Sequence, residues 1–159
     1  MKITYEIENG ENVKVKTYAD GRVYKYDKNG NMIYYKLNSG FEQWNEYDAN
    51  GNEIHSKNTD GYEVWNDYDA NGNKIHSKEN CGFEYWKEYD ANGWMIHFKD
   101  SNGFEQWKEY NSNGKVIHYK NNNGREDWYE YDSNGNKIHI RDCMGNEWFA
   151  EDYEKRRVC

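Results

Sequence analysis

A recurrence of 21 residues constrains this chain more than any other feature. The stretch GFEQWNEYDANGNEIHSK, Gly40 to Lys57, returns almost unchanged as GYEVWNDYDANGNKIHSK, Gly61 to Lys78. Full copies begin at Gly40, Gly61, Gly82, Gly103 and Gly124, and a degenerate copy begins at Gly145. Shortened copies cover Gly21 to Ser39 and the N-terminal TYEIENGENVKVKTYAD. Trp44, Trp65, Trp86, Trp107 and Trp128 share one column, and Glu42, Glu63, Glu84, Glu105, Glu126 and Glu147 share another. All five histidines, His55, His76, His97, His118 and His139, form a third, followed by a basic column of Lys36, Lys57, Lys78, Lys99, Lys120 and Arg141. A fixed period of this length belongs to architectures in which each unit packs against its neighbours.

Each unit contains two glycine-centred turn signals, DANG and one like NTDG. Between them lie runs of about six residues rich in Trp, Tyr and Ile, the pattern of strands joined as hairpins. Apolar residues do not recur at helical spacing. The chain therefore reads as all-β: a repetitive antiparallel hairpin meander of six to seven units, with units starting near Gly21, Gly40, Gly61, Gly82, Gly103, Gly124 and Gly145. Both strand faces carry aromatics, so the single sheet is expected to coil or roll. Residues 1–159 read as one repeat domain. The chain has no proline, as expected where every strand donates to a ladder.

Strand alternation has a period of two, so an odd repeat requires one even and one odd turn if each column is to keep its face. In the favoured register Asn50-Gly51 is a two-residue type I′ turn, and Thr59-Asp60-Gly61 is a three-residue loop with Gly61 left-handed. One face then carries Glu42, Trp44, Glu46, His55 and Lys57, with Lys57 between Trp44 and Glu63. The other carries Phe41, Tyr47, Ile54 and the packing column Tyr35, Ser56, Ser77, Phe98, Tyr119 and Ile140. The rival register makes Asp48 to Asn52 enclose a three-residue loop and sets Trp44 beside Ile54.

Composition narrows the interior. Leu37 is the sole leucine, and half of the 35% hydrophobic residues are aromatic, which contribute 18% of the chain. A dry aliphatic core is thereby excluded, and buried hydroxyl and indole groups need partners. Net charge of −8 argues against nucleic acid or an anionic membrane as ligand, because both demand a basic footprint. The basic end EKRRVC reads as a solvated tail. No run approaches the roughly 18 apolar residues of a membrane span, and MKITYEIENG lacks a signal-type apolar core, so the expected location is the cytoplasm. Cys81, Cys143 and Cys159 are expected as reduced thiols. Cys81 and Cys143 lie about three repeats apart, beyond the ~7 Å reach of a disulfide.

The motif EYDANGNEIH, Glu46 to His55, resembles the tyrosine-aspartate (YD) repeat of rearrangement-hotspot (RHS) proteins. It recurs at Tyr47-Asp48, Tyr68-Asp69, Tyr89-Asp90 and Tyr131-Asp132, with Asn111 in place of the aspartate in one copy. TYADGRVYKYDKNG, Thr17 to Gly30, is also similar to MORN-type repeats, some found in antitoxin-like proteins. The first resemblance implies a spiralling β-sheet, which in large relatives forms a shell around a toxin.

The candidate chemistry is repeated rather than unique. Histidines of one column stand two strands apart, roughly 9.5 Å at ~4.8 Å per strand, whereas zinc needs ligands converging within about 2 Å of one point. A structural histidine ladder is expected, without metal or cofactor. The DANGN loops lack the acidic twelfth residue of a calcium loop, since Asp48 leads to Thr59 and Asp69 to Asn80. Glu42 and Glu46 alternate along one strand about 13 Å apart, too far for a glycosidase pair. Every candidate comes in several copies where an enzyme has one site, so no catalysis is expected.

The leading functional expectation is a non-catalytic, acidic protein-binding surface. Its candidate residues are the tryptophan column Trp44, Trp65, Trp86, Trp107 and Trp128, the acids Glu46, Asp67, Glu88 and Glu109, and a contact spot of Trp94, Met95 and Phe98 at a hairpin tip. The expected role is inhibitory, of an immunity or antitoxin type or a phage-encoded anti-CRISPR type, against a toxin or a nucleic-acid-processing enzyme. Alternatives are a carbohydrate or cell-wall binding module, with each Trp stacking a ligand, and a structural fragment of an RHS-like shell. End strands of a meander lack a neighbour, which adds an edge-to-edge homodimer to the expectations.

Overall fold

The computed structural model of the chain describes residues 1–150. Fifteen strands occupy this length: β1 Lys2–Glu8, β2 Glu11–Thr17, β3 Val23–Tyr26, β4 Met32–Lys36, β5 Glu42–Tyr47, β6 Glu53–Asn58, β7 Glu63–Tyr68 and β8 Lys74–Glu79, then β9 Glu84–Tyr89, β10 Met95–Asp100, β11 Glu105–Tyr110, β12 Val116–Asn121, β13 Glu126–Tyr131, β14 Lys137–Asp142 and β15 Glu147–Phe149. They follow one another in chain order in a single open sheet with β1 and β15 at its ends. The all-β hairpin meander expected from the period is therefore the observed fold. The residues group into two compact units, one from Met1 to Glu84 and one beginning at Tyr85.

The two turns of a unit are built alike, and this differs from the favoured register. At the second, Asn58 N–H donates to the Tyr62 carbonyl at 3.0 Å and Gly61, at φ 85°, donates to the Asn58 carbonyl. That is the expected three-residue loop. At the first, Asp48 N–H donates to the Asn52 carbonyl at 2.9 Å and Gly51, also at φ 85°, to the Asp48 carbonyl at 3.1 Å. This too is a three-residue loop, so Asn50-Gly51 is not a type I′ turn. Both central residues of such a turn need positive φ, and that geometry occurs at Asn9-Gly10, with φ 51° and 84°.

Two odd turns would send the columns to alternating faces, and a β-bulge prevents it. Across β5 and β6, Tyr47 faces Glu53 but Glu46 faces His55, leaving Ile54 as the extra residue. The same shift skips Ile33, Ile75, Ile96, Ile117 and Ile138. One bulge residue per unit restores parity, so the favoured pairings hold in the strands: Trp44 faces Lys57, His55 faces Trp65 and Lys57 faces Glu63. The rival register is right about the loop, and the favoured one about the strand.

Alternation then sorts the side chains. Glu42, Trp44, Glu46, His55 and Lys57 take an outer face, and Gln43, Asn45, Ser56, Val64 and Asn66 an inner one. In the first unit the inner face buries a largely polar set, Asn45, Ser56, Asn66 and Ser77 beside Val64. Asn45, Asn66 and Ser77 have hydrogen-bond partners, as burial requires. Asn45 Nδ2 donates to the Met32 carbonyl at 2.8 Å, Asn66 Nδ2 to the Glu53 carbonyl at 3.0 Å, and Ser77 Oγ to Asn66 Oδ1 at 2.9 Å. Cys81 and Cys143 are exposed free thiols, whereas Cys159 and the basic EKRRVC end lie outside the described residues.

Candidate functional site

The tyrosine and aspartate of the repeat each hold one half of the hairpin. Asp48 Oδ1 accepts the N–H groups of Asn50 and Asn52, both at 2.9 Å, and Oδ2 accepts Asn52 Nδ2 at 2.9 Å. The clamp recurs at Asp69 and Asp132. Asn111, which replaces the aspartate in one copy, keeps the two backbone bonds through its Oδ1. Hydrogen bonds from Asn52, its side chain first, hold the Asp48 carboxyl below the usual carboxylate range. Next to the clamp, Tyr47 Oη donates to the Met32 carbonyl at 3.1 Å and Tyr68 Oη to that of Glu53 at 2.9 Å. Tyr110 and Tyr131 reach the Met95 and Val116 carbonyls in the same way, at 2.8 Å each. Each acceptor lies on the loop side of a bulge, past the end of its ladder with the following strand, so the phenol supplies the missing donor.

On the outer face of the first unit, His55 lies between two carboxylates. Its Nδ1 is 3.1 Å from Glu46 Oε1 across the hairpin, its Nε2 is 2.9 Å from Glu63 Oε1 on the next strand, and its ring stacks on Trp65 at 5.3 Å and 11°. His76 repeats the arrangement with Asp67 at 2.7 Å and Glu84 at 2.8 Å. In the second unit His97 lies between Glu88 and Glu105 on Trp107, and His118 between Glu109 and Glu126 on Trp128. His139 approaches Glu130 at 3.2 Å but Glu147 only at 3.9 Å, and stacks on Phe149 where other copies have Trp.

A neutral imidazole donates from one nitrogen only, so two flanking carboxylates favour the imidazolium. Burial pulls the His55 pKa down, and the hydrogen bonds to Glu46 and Glu63 outweigh it, leaving the value raised. The same balance holds at His76, His97 and His118. In the shortened copy Tyr34 stands in the histidine column and donates to Glu42 at 3.0 Å. Lys36 holds the other oxygen of that carboxylate at 2.7 Å. Burial and the Glu42 carboxylate together push the Tyr34 pKa up to about 12.

The expected binding residues fall into three groups. Trp44, Trp65, Trp86 and Trp107 are 36% to 41% exposed, one ring face being covered by a histidine at Trp65 and Trp107. Trp128 is half-buried between His118 and the Arg141 guanidinium, 4.4 Å from its ring. Glu46, Asp67, Glu88 and Glu109 are the most open, at 67% to 69%, while each touches a histidine. Glu130 belongs with them, a member the sequence reading left out.

Trp94, Met95 and Phe98, the expected contact spot, each have partners within the sheet. Trp94 packs on Tyr110 at 5.5 Å and covers Gly114, whose added Cβ would lie 3.0 Å from the indole. Met95 offers its carbonyl to Tyr110, and Phe98 stacks on Tyr85 and meets Phe104 at a tilt of 51°. On the inner face of the second unit Lys108, Lys115, Arg125 and Lys137 line a shallow concavity of about 480 Å³ with three tyrosines. Among the described residues no group of three His, Cys, Asp or Glu is placed to hold a metal ion, and no helix is long and apolar enough to cross a membrane.

A ladder of hairpins whose Tyr-Asp pair ties bulge to turn defines the class of YD-repeat sheets. The family model described as Teneurin YD-shell matches residues 1–152, and the chain belongs to that family. Among solved structures, that of TcdB2-TccC3-Cdc42 superposes with a TM-score of 0.63 at 20% identity, covering 74% of this chain and 7% of that one. The structure of TcdB2-TccC3-TEV superposes at 0.57 and 14% identity, covering 89% and 10%. A mutant Tc holotoxin pore of Photorhabdus luminescens gives 0.54 at 14%, covering 87% and 11%. These likenesses establish the fold, and the chain spans about a tenth or less of each of those chains. No curated protein matches the chain.

Proposed function

We propose that the chain is a non-catalytic structural segment, a stretch of YD-shell wall whose side-chain chemistry maintains the sheet. The observation that supports this most directly is the use made of each repeated polar column. The aspartates close turns, the tyrosines satisfy carbonyls beside the bulges, and the histidines join neighbouring strands through two carboxylates. A group held by internal partners in copy after copy is a poor candidate for turning over a substrate. The family match and the toxin-complex structures support the wall role in preference to the inhibitory one, for which they offer no counterpart.

A repeat exchange tests this reading. The three units Gly40 to Asn102 of this chain would replace an equal number of repeats in a larger YD-shell protein. The expected product is a soluble shell that resists limited proteolysis like its parent. A chimaera cut within the inserted repeats, while the parent stays intact, would refute the wall role.

The outer face supports a second reading, a docking surface for a protein with a basic contact patch. Its support is the ladder of open carboxylates beside partly exposed indoles. Exchanging Glu46 and Asp67 for glutamine and asparagine would then lower affinity for such a partner and flatten the salt dependence of binding.

A further inference from the structure

The two ends of the sheet differ. β15 has three residues, whereas β1 has seven. β1 pairs with β2 along its whole length without a register shift, while the hairpins from β3 onward carry the bulge at Ile33, Ile54 and their equivalents. Edge strands are usually blunted by shortness, proline, a bulge or charged side chains; β1 has only the charges, Lys2, Glu6 and Glu8, and these lie on the face opposite Ile3, Tyr5 and Ile7. Its turn fixes the direction of every backbone group. Asn9-Gly10 is a two-residue turn, so Glu8 and Glu11 form the hydrogen-bonded pair that closes it. Alternating from there, Lys2, Thr4, Glu6 and Glu8 aim their N–H and C=O at β2, and Ile3, Tyr5 and Ile7 aim theirs away from the sheet. The same three residues present their side chains on the inner-face side, at 45%, 70% and 68% exposure. Among the described residues, an unpaired backbone edge and an uncovered apolar row thus coincide.

We infer that β1 pairs, antiparallel, with β1 of a second copy of this chain about a twofold axis at Tyr5. The sequence KITYEIE is self-complementary in that register. Tyr5 meets Tyr5, Ile3 meets Ile7, Thr4 meets Glu6 and Lys2 meets Glu8. The outward N–H and C=O of Ile3, Tyr5 and Ile7 then face one another in hydrogen-bonded pairs, as antiparallel geometry requires. One side of the new ladder is a continuous row of isoleucine and tyrosine, and the other places a lysine opposite a glutamate at each end. A slip of one residue would set outward groups against inward ones. The contact is isologous and closes at two copies, giving one longer sheet rather than a fibre. It concerns β1 as the first strand of this chain, an edge that a preceding strand of a longer wall would occupy in its place.

Sedimentation of the intact chain tests the inference. The expected species has twice the 19.2 kDa mass of one chain. Tyr5→Pro removes an N–H that the β1–β2 ladder does not use, and with it two bonds across the axis. Dimerisation should weaken by roughly tenfold or more, while Tyr5→Val retains it. Should the proline variant misfold, a charge pair at the facing isoleucines supplies the test, since Glu8 is already held by Lys25: Ile3→Lys and Ile7→Glu each weaken the dimer, and the two together restore it. A monomer at all concentrations, a dimer indifferent to Tyr5→Pro in the folded protein, or a double variant as weak as the singles overturns the inference.

Discussion

Tyr110 and Tyr68 show how much one hydroxyl contributes. The Glu53 carbonyl beneath Tyr68 also accepts Asn66 Nδ2, whereas Lys108 holds the equivalent position in the copy where Tyr110 donates to Met95. Tyr110→Phe is therefore expected to cost about 1 kcal/mol and Tyr68→Phe distinctly less, as read from urea midpoints. The ionisable residues set a pH window. His55, His76, His97 and His118 have raised values when folded, so their stabilisation is complete below the unfolded value of about 6.5 and is lost as pH rises through the folded ones.

The aspartates act at the other end of the scale. Hydrogen bonds from the turn hold Asp48, Asp69, Asp90, Asp132 and Asp142 below their ordinary value. Their stabilisation is complete above about 3.9 and is lost as pH falls through the lower folded values. Thermal stability should therefore peak between about pH 4 and 6.5 and decline on both sides, and replacing His55, His76, His97 and His118 with glutamine should remove the decline on the alkaline side.

At the scale of the hairpin, the bulge determines which face each column takes. Deleting Ile54 removes the extra residue and leaves two odd turns in that unit. His55 and Lys57 would turn to the inner face and Ser56 outward, which a buried polar layer cannot accommodate. The expected result is loss of cooperative unfolding in the first unit, while Ile54→Val costs about 1 kcal/mol, as compared by denaturant titration. Much of the hairpin was legible in the sequence. The period, the strand runs, the loop ending at Gly61 and the Trp44–Lys57 and Lys57–Glu63 pairings follow from alternation and turn chemistry. The bulge was not, because an isoleucine before every histidine looks like any strand residue, and parity can be restored by a two-residue turn as well as by a bulge. The histidine clamps were half legible. The columns show His and Glu recurring together, but only the register reveals that one ring nitrogen meets Glu46 across the hairpin and the other meets Glu63 on the next strand. Trp94 looked like an isolated tip residue because its partners, Tyr110 and Gly114, lie in the following unit.

Over the whole molecule, stability is a sum of like contacts between neighbouring hairpins rather than the product of one core. Among the described residues the buried hydrophobic ones, Val13, Val15 and Val64, are few, and the buried polar ones Asn45, Ser56, Asn66, Ser77, Asn121 and Asp127 outnumber them. Such an interior depends on every polar group keeping its partner, which is why the account rests on the bulged register recurring from unit to unit. Nuclear Overhauser contacts between backbone protons of facing residues test this most directly. Contacts are expected for both Tyr47–Glu53 and Glu46–His55, and for Tyr68–Lys74 with Asp67–His76, two pairs that coexist in one hairpin only if an isoleucine is skipped. Contacts of Tyr47 with Ile54 and of Tyr68 with Ile75, in unbroken ladders, would contradict it.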